Sequence, residues 1–425
     1  MGRIWRKAAI KVGTPVFSLL LMSAAVPATS LPLFELLPAE TIGPASTTPI
    51  LAAAALGSGS GLLVRHLVSE GRLALYRLDW PAKYHSASSG SIDPLWQITT
   101  ALSLRELAIT SNSAGALLAW VEGDEREERL HARRLSLAGK PAAAAVLLQS
   151  GPTRVREIQV GMTPEGDSLL AWINQLGDNS RQLQLRRLTR HDEQHQLLAL
   201  AEADYTSQKL TLAVGAKNSL LVYVRSKHAT NGKRVTNIQA QANDSTLPAP
   251  RHEIVARYLL GHGNSLANAP LRIAVSSELA HPQLLTRPDF FQVFWIDPAR
   301  ENGRTLRGRA FTRMNWHGPP RILRTDLRPV EPVPYRILPI DSNHWLLVWV
   351  QREGRGRAMV LEARVFHSTG NAISPPLLLA SSAGTIVLHS LIPLQLAGSW
   401  LVLWDEEMND LHHLRYRWFK KVSAL

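Results

Sequence analysis

The chain contains no cysteine. That absence excludes structural disulfides, a thiol nucleophile, thiolate-held zinc and a lipid-modified cysteine anchor. It leaves the compartment open. Long apolar runs are also missing. The best candidate, Val16 to Val26, is bracketed by Pro15 and Pro27 and falls well short of the roughly 20 residues that span a bilayer. Acidic residues are in deficit: 34 Asp and Glu against 47 Lys and Arg, a formal net charge of +13. Such a balance favours anionic partners. No dense Lys/Arg block and no nucleic-acid module accompanies it, so nucleic acid is not among the expected partners.

Motifs of catalysis are missing too. The serine-rich run Ser86–Ser91 has no G-x-S-x-G elbow. His191-Asp192-Glu193-Gln194-His195 places Asp where HExxH needs Glu, and it falls in a turn, where no helix presents both His on one face. His412 and His413 are adjacent, so in a strand they point to opposite faces. No catalytic set, metal site or cofactor is expected.

What is present is a recurring phrase: apolar residues, Trp or Tyr, an apolar residue, a polar one. It reads Leu117-Leu118-Ala119-Trp120-Val121-Glu122, then Leu169-Leu170-Ala171-Trp172-Ile173-Asn174, then Leu220-Leu221-Val222-Tyr223-Val224-Arg225. Phe291 to Asp297, Leu346 to Gln351 and Leu401 to Glu406 continue it, and Leu62-Leu63-Val64-Arg65 is a first copy without its aromatic. From Arg65 the spacings are 55, 52, 51, 72, 54 and 55 residues. A period near 50 fits a four-stranded propeller blade.

Each unit parses into four strands. The innermost are Leu104–Thr110, Val155–Gly161, Lys209–Gly215, Leu271–Ser276, Tyr335–Ile340 and Leu388–Leu396, with Pro49–Leu56 in the first blade. The Trp phrase is the second strand. An alternating third strand and a short outer strand follow; Ile254-Val255-Ala256 is taken as the outer strand of blade four. The long spacing of 72 is assigned to loops at Arg257–Ala269 and Ser277–Asp289. The expected fold is therefore all-β: seven four-stranded blades, closed by an N-terminal strand, Leu31 to Leu37, that completes the last blade and hides the exposed edges. Six blades plus an N-terminal arm is the alternative. Residues 1–28, with Arg3, Arg6, Lys7 and Lys11 before the apolar run, read as a cleaved secretory signal. Residues 29–48 are closing strand and linker, and 49–425 the propeller. The expected location is the periplasm or the exterior, with no membrane span after cleavage.

A basic residue opens most inner strands: Arg105, Arg156, Lys209, Arg272, Arg336 and His389. The polar residue ending each second strand, Glu122, Asn174, Arg225, Asp297, Gln351 or Glu406, should reach the same mouth of the channel. A ring of cations there suits a carboxylate, phosphate or sulfate. Pairing within blades is the competing expectation: Arg105 with Glu122, Arg272 with Asp297, His389 with Glu406. Trp80, Trp96, Trp316, Trp345, Trp400 and Trp418 lie outside the repeat position and are expected to pack in the core or at edges.

The repeat resembles the degenerate propeller repeats of exported bacterial proteins, in which an apolar-Trp strand leads to an alternating strand and a Gly turn such as Ala138-Gly139-Lys140-Pro141. The resemblance spans about residues 50–425. It lacks the S-x-D-x-G-x-T-W box of sialidases, the Gly-His…Trp-Asp pattern of WD40 blades and the quinoprotein repeat, so it carries no catalytic residues over. The leading expectation is a non-catalytic exported scaffold for a protein partner. The alternatives are a binding module for an acidic glycan or other anionic polymer at the basic mouth, and a glycoside hydrolase or lyase using carboxylates such as Glu122, Asp297 and Glu406.

Overall fold

A computed structural model describes residues 33–422 except 37–38, 46–50, 57–59, 80–93, 177–179, 192, 195–196, 201–204, 228–251, 262–264, 277–279, 288, 299–303, 313–314, 328–334, 354–357, 395–398 and 410. The segment read as a signal, and with it Asp192, His195 and Trp80, lies outside these residues.

Seven antiparallel sheets form the ring. Blade one runs Leu51–Leu56, Ser60–Leu67, Arg72–Asp79, Trp96–Thr99, and blade two Ser103–Asn112, Gly115–Gly123, Glu128–Leu135, Val146–Gly151. Blade three is Arg154–Met162, Ser168–Gln175, Arg181–Leu188, Leu198–Leu200, and blade four Tyr205–Val214, Asn218–Lys227, His252–Leu260, Ser265–Ser276. Blade five comprises Gln283–Thr286, Phe291–Pro298, Arg304–Thr312, Asn315–Leu327, and blade six Tyr335–Pro339, His344–Arg352, Met359–His367, Leu377–Ser382. Blade seven takes three strands from the C-terminus, Thr385–Leu394, Ser399–Met408 and Leu411–Val422. Its outer strand comes from the other end of the chain, in two pieces, Leu33–Leu36 and Glu40–Ala45, both antiparallel to Leu411–Val422. The chain is a seven-bladed β-propeller. No helix among the described residues is long and apolar enough to cross a membrane.

The recurring phrase has a packing explanation. Second strands are flanked by neighbouring blades on both faces, so Gly115–Gly123 is buried at every position and Ser168–Gln175 at all but the last. A strand buried on both faces reads as a continuous apolar run. Third strands lie further out and alternate, as in Glu128–Leu135. Seven apolar cores result, each shared by two blades. Trp120 packs with residues of blade one, Trp172 with blade two, Tyr223 with blade three, Trp295 with blade four, Trp349 with blade five and Trp404 with blade six. The seventh core joins blades seven and one through Leu401, Leu403, Tyr416 and Trp418 against Leu63, Ala74 and Tyr76. Trp345 and Trp400, outside the repeat position, are buried as well, whereas Trp96 is half-buried beneath the Arg133 guanidinium, 5.0 Å from its ring centre.

One boundary differs from the sequence expectation. Ile254-Val255-Ala256 belongs to the third strand of blade four, paired with Tyr223 and its neighbours. Leu271–Ser276 is the end of that blade's outer strand, not the inner strand of blade five, which is Gln283–Thr286. Arg257–Ala269 is largely a hairpin instead of a loop. The extra length of this unit falls between its second and third strands, across residues 228–251. Strand His252–Leu260 is buried on both faces at Ile254, Val255 and Ala256, which hides the alternation that marks third strands elsewhere.

Arginines fasten blade to blade. Arg134 of blade two donates to Gly166 O at 2.8 Å in blade three, and Arg186 of blade three to Leu148 O at 2.9 Å in blade two. Arg287 reaches Asp341 O and His344 O, Arg336 reaches His389 O at 2.9 Å, and Arg417 reaches Leu379 O. The acceptors are neutral carbonyls, so these contacts hold the ring without cancelling charge. Part of the basic balance is thereby structural.

Candidate functional site at the channel mouth

Inner strands begin, and second strands end, at the same face of the ring, where the connections between blades arrive. Four inner strands are irregular, near their start in blades two and three and in mid-strand in blades four and seven, so Lys209 and His389 do not open their strands as expected. The register slips at Arg105 in blade two, between Arg156 and Gln159 in blade three, between Gln208 and Thr211 in blade four, and at His389 in blade seven. Such bulges re-aim side chains. Glu157 and Lys209 adopt positive φ angles of 54° and 53°, a conformation that costs a non-glycine residue free energy and recurs at functional sites.

Inner-strand side chains bridge to the next bulge. The Glu106 carboxylate accepts the Glu157 backbone N–H. Glu157 in turn accepts the Leu210 N–H at 2.8 Å. Arg336 serves the next bulge with opposite polarity by donating to His389 O. Burial, followed by the neighbouring Glu157 and Glu128 charges, holds the Glu106 carboxyl above its ordinary value despite the Glu157 N–H and Arg156.

The mouth is divided by sign. Glu106, Glu128 and Glu157 come from blades two and three, with Arg156 tied to Glu128 at 3.1 Å. On the other side Lys209, Arg304 and Arg336 come from blades four, five and six, while blade seven sets the Asp405 carboxylate near His389. His281, just before the inner strand of blade five, is pushed down to about 4 by burial and then by Lys209, Arg336 and Arg304, all cations. His389 is also pushed down to about 4, chiefly by burial; Asp405 opposes the shift while Arg336 and His412 add to it. Tyr335 orders this arc by donating its hydroxyl to His281 O at 2.6 Å.

The six expected cations therefore separate. Lys209, Arg336 and His389 belong to one arc. Arg156 is held by Glu128, and Arg105 is exposed on its bulge. Arg272 lies on the outermost strand of blade four, 3.6 Å from Glu253, because the inner-strand reading of Leu271–Ser276 was displaced by the misplaced loop. His281 and Arg304 complete the arc. No sequence signal marks either, since His281 falls in what reads as an extension.

The polar residues ending the second strands do not pair with inner-strand cations. Each shares a face with the aromatic two places earlier and is gripped from further out. Glu122 meets His131 at 3.2 Å, Arg225 meets Glu253 at 2.7 Å, Asp297 meets Arg307 at 2.6 Å and Glu406 meets Arg415 at 2.6 Å. Gln351 donates to Glu362 at 2.7 Å, and Asn174 pairs with Gln149 of blade two. In blades three and five the indole N–H joins in, from Trp172 to Asn174 and from Trp295 to Asp297, each at 3.1 Å. These are clamps that satisfy the buried Trp N–H or its polar neighbour. Burial raises the Asp297 carboxyl against the pull of Arg307 and Trp295. Among the described residues no three His, Asp or Glu side chains are grouped to hold a metal.

The buried imidazoles make stability depend on pH. In the unfolded chain His281 and His389 take up protons near pH 6.5; in the folded chain they do so only near pH 4. Between these values the unfolded state binds more protons, so stability is full above pH 6.5 and falls as the pH drops toward 4. At about 1.4 kcal/mol per pH unit, each contributes up to about 3 kcal/mol. Glu106, displaced upward, acts in the opposite sense and offsets part of the loss. Urea unfolding at pH 7 and pH 4.5 should show the decline, and His389→Gln should make it measurably shallower, with His66, His131 and His252, also lowered by burial, supplying part of the remainder. An unchanged slope in that variant would count against a buried neutral His389.

No protein-family model matches the chain, and no curated protein matches it. Three solved structures are similar to it at low identity. The parainfluenza virus 5 hemagglutinin-neuraminidase ectodomain superposes with a TM-score of 0.46 and 8% identity, over 92% of this chain and 85% of that one. The β-propeller domain of the Trilobed protease from Pyrococcus furiosus gives 0.46 and 7% over 89% and 99%, and Trypanosoma rangeli sialidase 0.42 and 12% over 86% and 59%.

Proposed function

We propose that this is an exported propeller that binds an anionic glycan or similar anionic polymer at the basic arc of its channel mouth. The reading is carried by the inner-strand bulge that presents Lys209 at a positive φ of 53°, with Lys209, Arg336 and Arg304 together helping burial to lower the His281 imidazole. Cations held by different rigid strands, beside a wall of sheet edges, form a field that favours an anion before any contact is made. The strained backbone at Lys209 supports it further, since that conformation is retained at some cost in stability. The segment 1–28, with its basic start and apolar run, supports export. The polar clamps lend no support to a hydrolase built on Glu122, Asp297 and Glu406, because each carboxylate is engaged within its own blade.

Lys209→Gly separates function from folding. Glycine takes φ near 53° without strain, so the variant should be as stable as the parent or slightly more so. Binding of polygalacturonate, measured by isothermal titration calorimetry at low salt, should weaken by about tenfold, the worth of one charge-assisted hydrogen bond. Neutral dextran should give no heat with either protein. Equal affinity of parent and variant for polygalacturonate would remove the basis of the reading.

A second reading, a scaffold for a protein partner, is favoured by a different surface. Leu147, Ile322 and Leu378 are exposed on the outermost strands of blades two, five and six, at equivalent places opposite His131, Arg307 and Glu362. That surface is the rim of the ring, so the Lys209 variant leaves it intact.

A further inference from the structure

Blade seven holds two buried polar atoms without a hydrogen-bond partner among the described residues. Asp405 is 1% exposed. Its Oδ2 accepts from His412 Nδ1 at 2.6 Å, while its Oδ1 has no hydrogen-bond partner among the described residues. His389 Nε2 is likewise buried and without a partner. The two residues are neighbours in the ladder. Leu388 faces Trp404 and Ser390 faces Leu403, so His389 is the extra residue of the bulge, diagonal to Asp405. A buried carboxylate oxygen left without a donor is costly, and such a pair is completed by a group from outside the chain, a water or a ligand.

We propose that the mouth is specific for a hydroxy acid, with the ligand's carboxylate on Lys209, His281 and Arg336 and a ligand hydroxyl between Asp405 Oδ1 and His389 Nε2. The inference rests on the anion-binding reading above and narrows it to sugar acids and related hydroxycarboxylates. A hydroxyl suits the pair because it donates once and accepts at the same atom: it donates to the Asp405 carboxylate and accepts from the imidazole N–H. Arg336 links the two halves. It lies in the cationic arc around His281 and donates to the backbone carbonyl of His389 at 2.9 Å. His412 fixes the Asp405 carboxylate from its other side, so the free oxygen is held in place before a ligand arrives. A plain carboxylate fills only the basic arc, and a neutral sugar fills only the Asp405–His389 pair. A site that hydrogen-bonds a hydroxyl rejects the analogue lacking it, because its own buried groups are then left unpaired.

The test is titration calorimetry of the whole chain with three probes: galacturonate, cyclohexanecarboxylate and galactose. Galacturonate should bind at least about tenfold more tightly than either of the others. Asp405→Asn and His389→Gln should each reduce galacturonate affinity by about tenfold and lower the preference for galacturonate over cyclohexanecarboxylate. The selectivity of the parent protein alone keeps the proposal open to refutation if either variant fails to fold. Equal binding of galacturonate and cyclohexanecarboxylate overturns the hydroxyl assignment and leaves the anion reading standing. Equal binding of galacturonate and galactose, or no binding of either acid, overturns both.

Discussion

Trp172→Ala should lower the unfolding free energy by about 3–5 kcal/mol, the usual cost of emptying a large buried aromatic site. Trp172 is fully buried between blades two and three, against Leu117, Ala119, Leu148 and Ile158. Its indole N–H also donates to Gln149 Oε1 at 2.9 Å and Asn174 Oδ1 at 3.1 Å, the former in the neighbouring blade. The loss therefore combines a cavity with two amides that lose a donor. Trp172→Phe isolates the second component. It keeps most of the ring volume and removes the N–H, and should cost about 1–2 kcal/mol. Gln149 and Asn174 still bond each other at 3.0 Å in that variant, which softens the loss. Urea denaturation followed by circular dichroism measures both. A Trp172→Ala loss under about 1 kcal/mol would mean that the blade interface re-forms around the gap, contrary to a close-packed core.

Removal of residues 33–45 should have an effect of similar size and a different character. The two N-terminal strands pair with Leu411–Val422 at four and five register positions. At about 0.5–1.5 kcal/mol net per hydrogen bond, the deletion costs several kcal/mol. It also bares an edge of 12 residues that includes Leu414, Tyr416, Trp418 and Phe419. An exposed edge of that length is a template for pairing between molecules. The shortened chain should melt lower and sediment as concentration-dependent oligomers, and a synthetic peptide of residues 33–45 added in trans should restore part of the melting temperature. A deletion that stays monomeric with an unchanged melting temperature would show that the seam is not closed by these strands.

The fold was legible because its cause is one-dimensional. A strand packed on both faces must be continuously apolar, and Leu117 to Val121 or Leu346 to Val350 can be recognised without knowing their neighbours. The closing strand was legible by elimination, since blade seven lacked an outer strand and Leu31 to Leu37 had the right character. Blade four was misread because Ile254, Val255 and Ala256, buried on both faces, carry no mark of their rank in the blade. The site was less accessible. Lys209, Arg336 and His389 could be picked out as basic residues on inner strands, though Lys209 and His389 sit in mid-strand and not at the start, and nothing in a sequence says that Arg156 is held by Glu128. His281 acquires meaning through Tyr335, 54 residues away, and Asp405 through His412 and the bulge at His389, contacts that depend on the hairpin register. The polar residues after each aromatic were visible as a pattern but misjudged in direction, because a strand's side chains alternate and Glu122 shares the face of Trp120, turned toward the preceding blade.

The repeat of the sequence and the repeat of the core are out of phase. Each Trp is encoded with one blade and buried with the one before, so no blade owns a complete core. A single repeat excised from the chain would carry two half-interfaces and no interior. Growth of such a ring by duplication has to insert a whole period, cut at any phase, since only then does every half-interface meet its complement. The covalent ends follow the same logic. By placing the break inside blade seven and not between two blades, the chain leaves all seven shared cores uncut, and opening the ring requires peeling a strand before any core can separate.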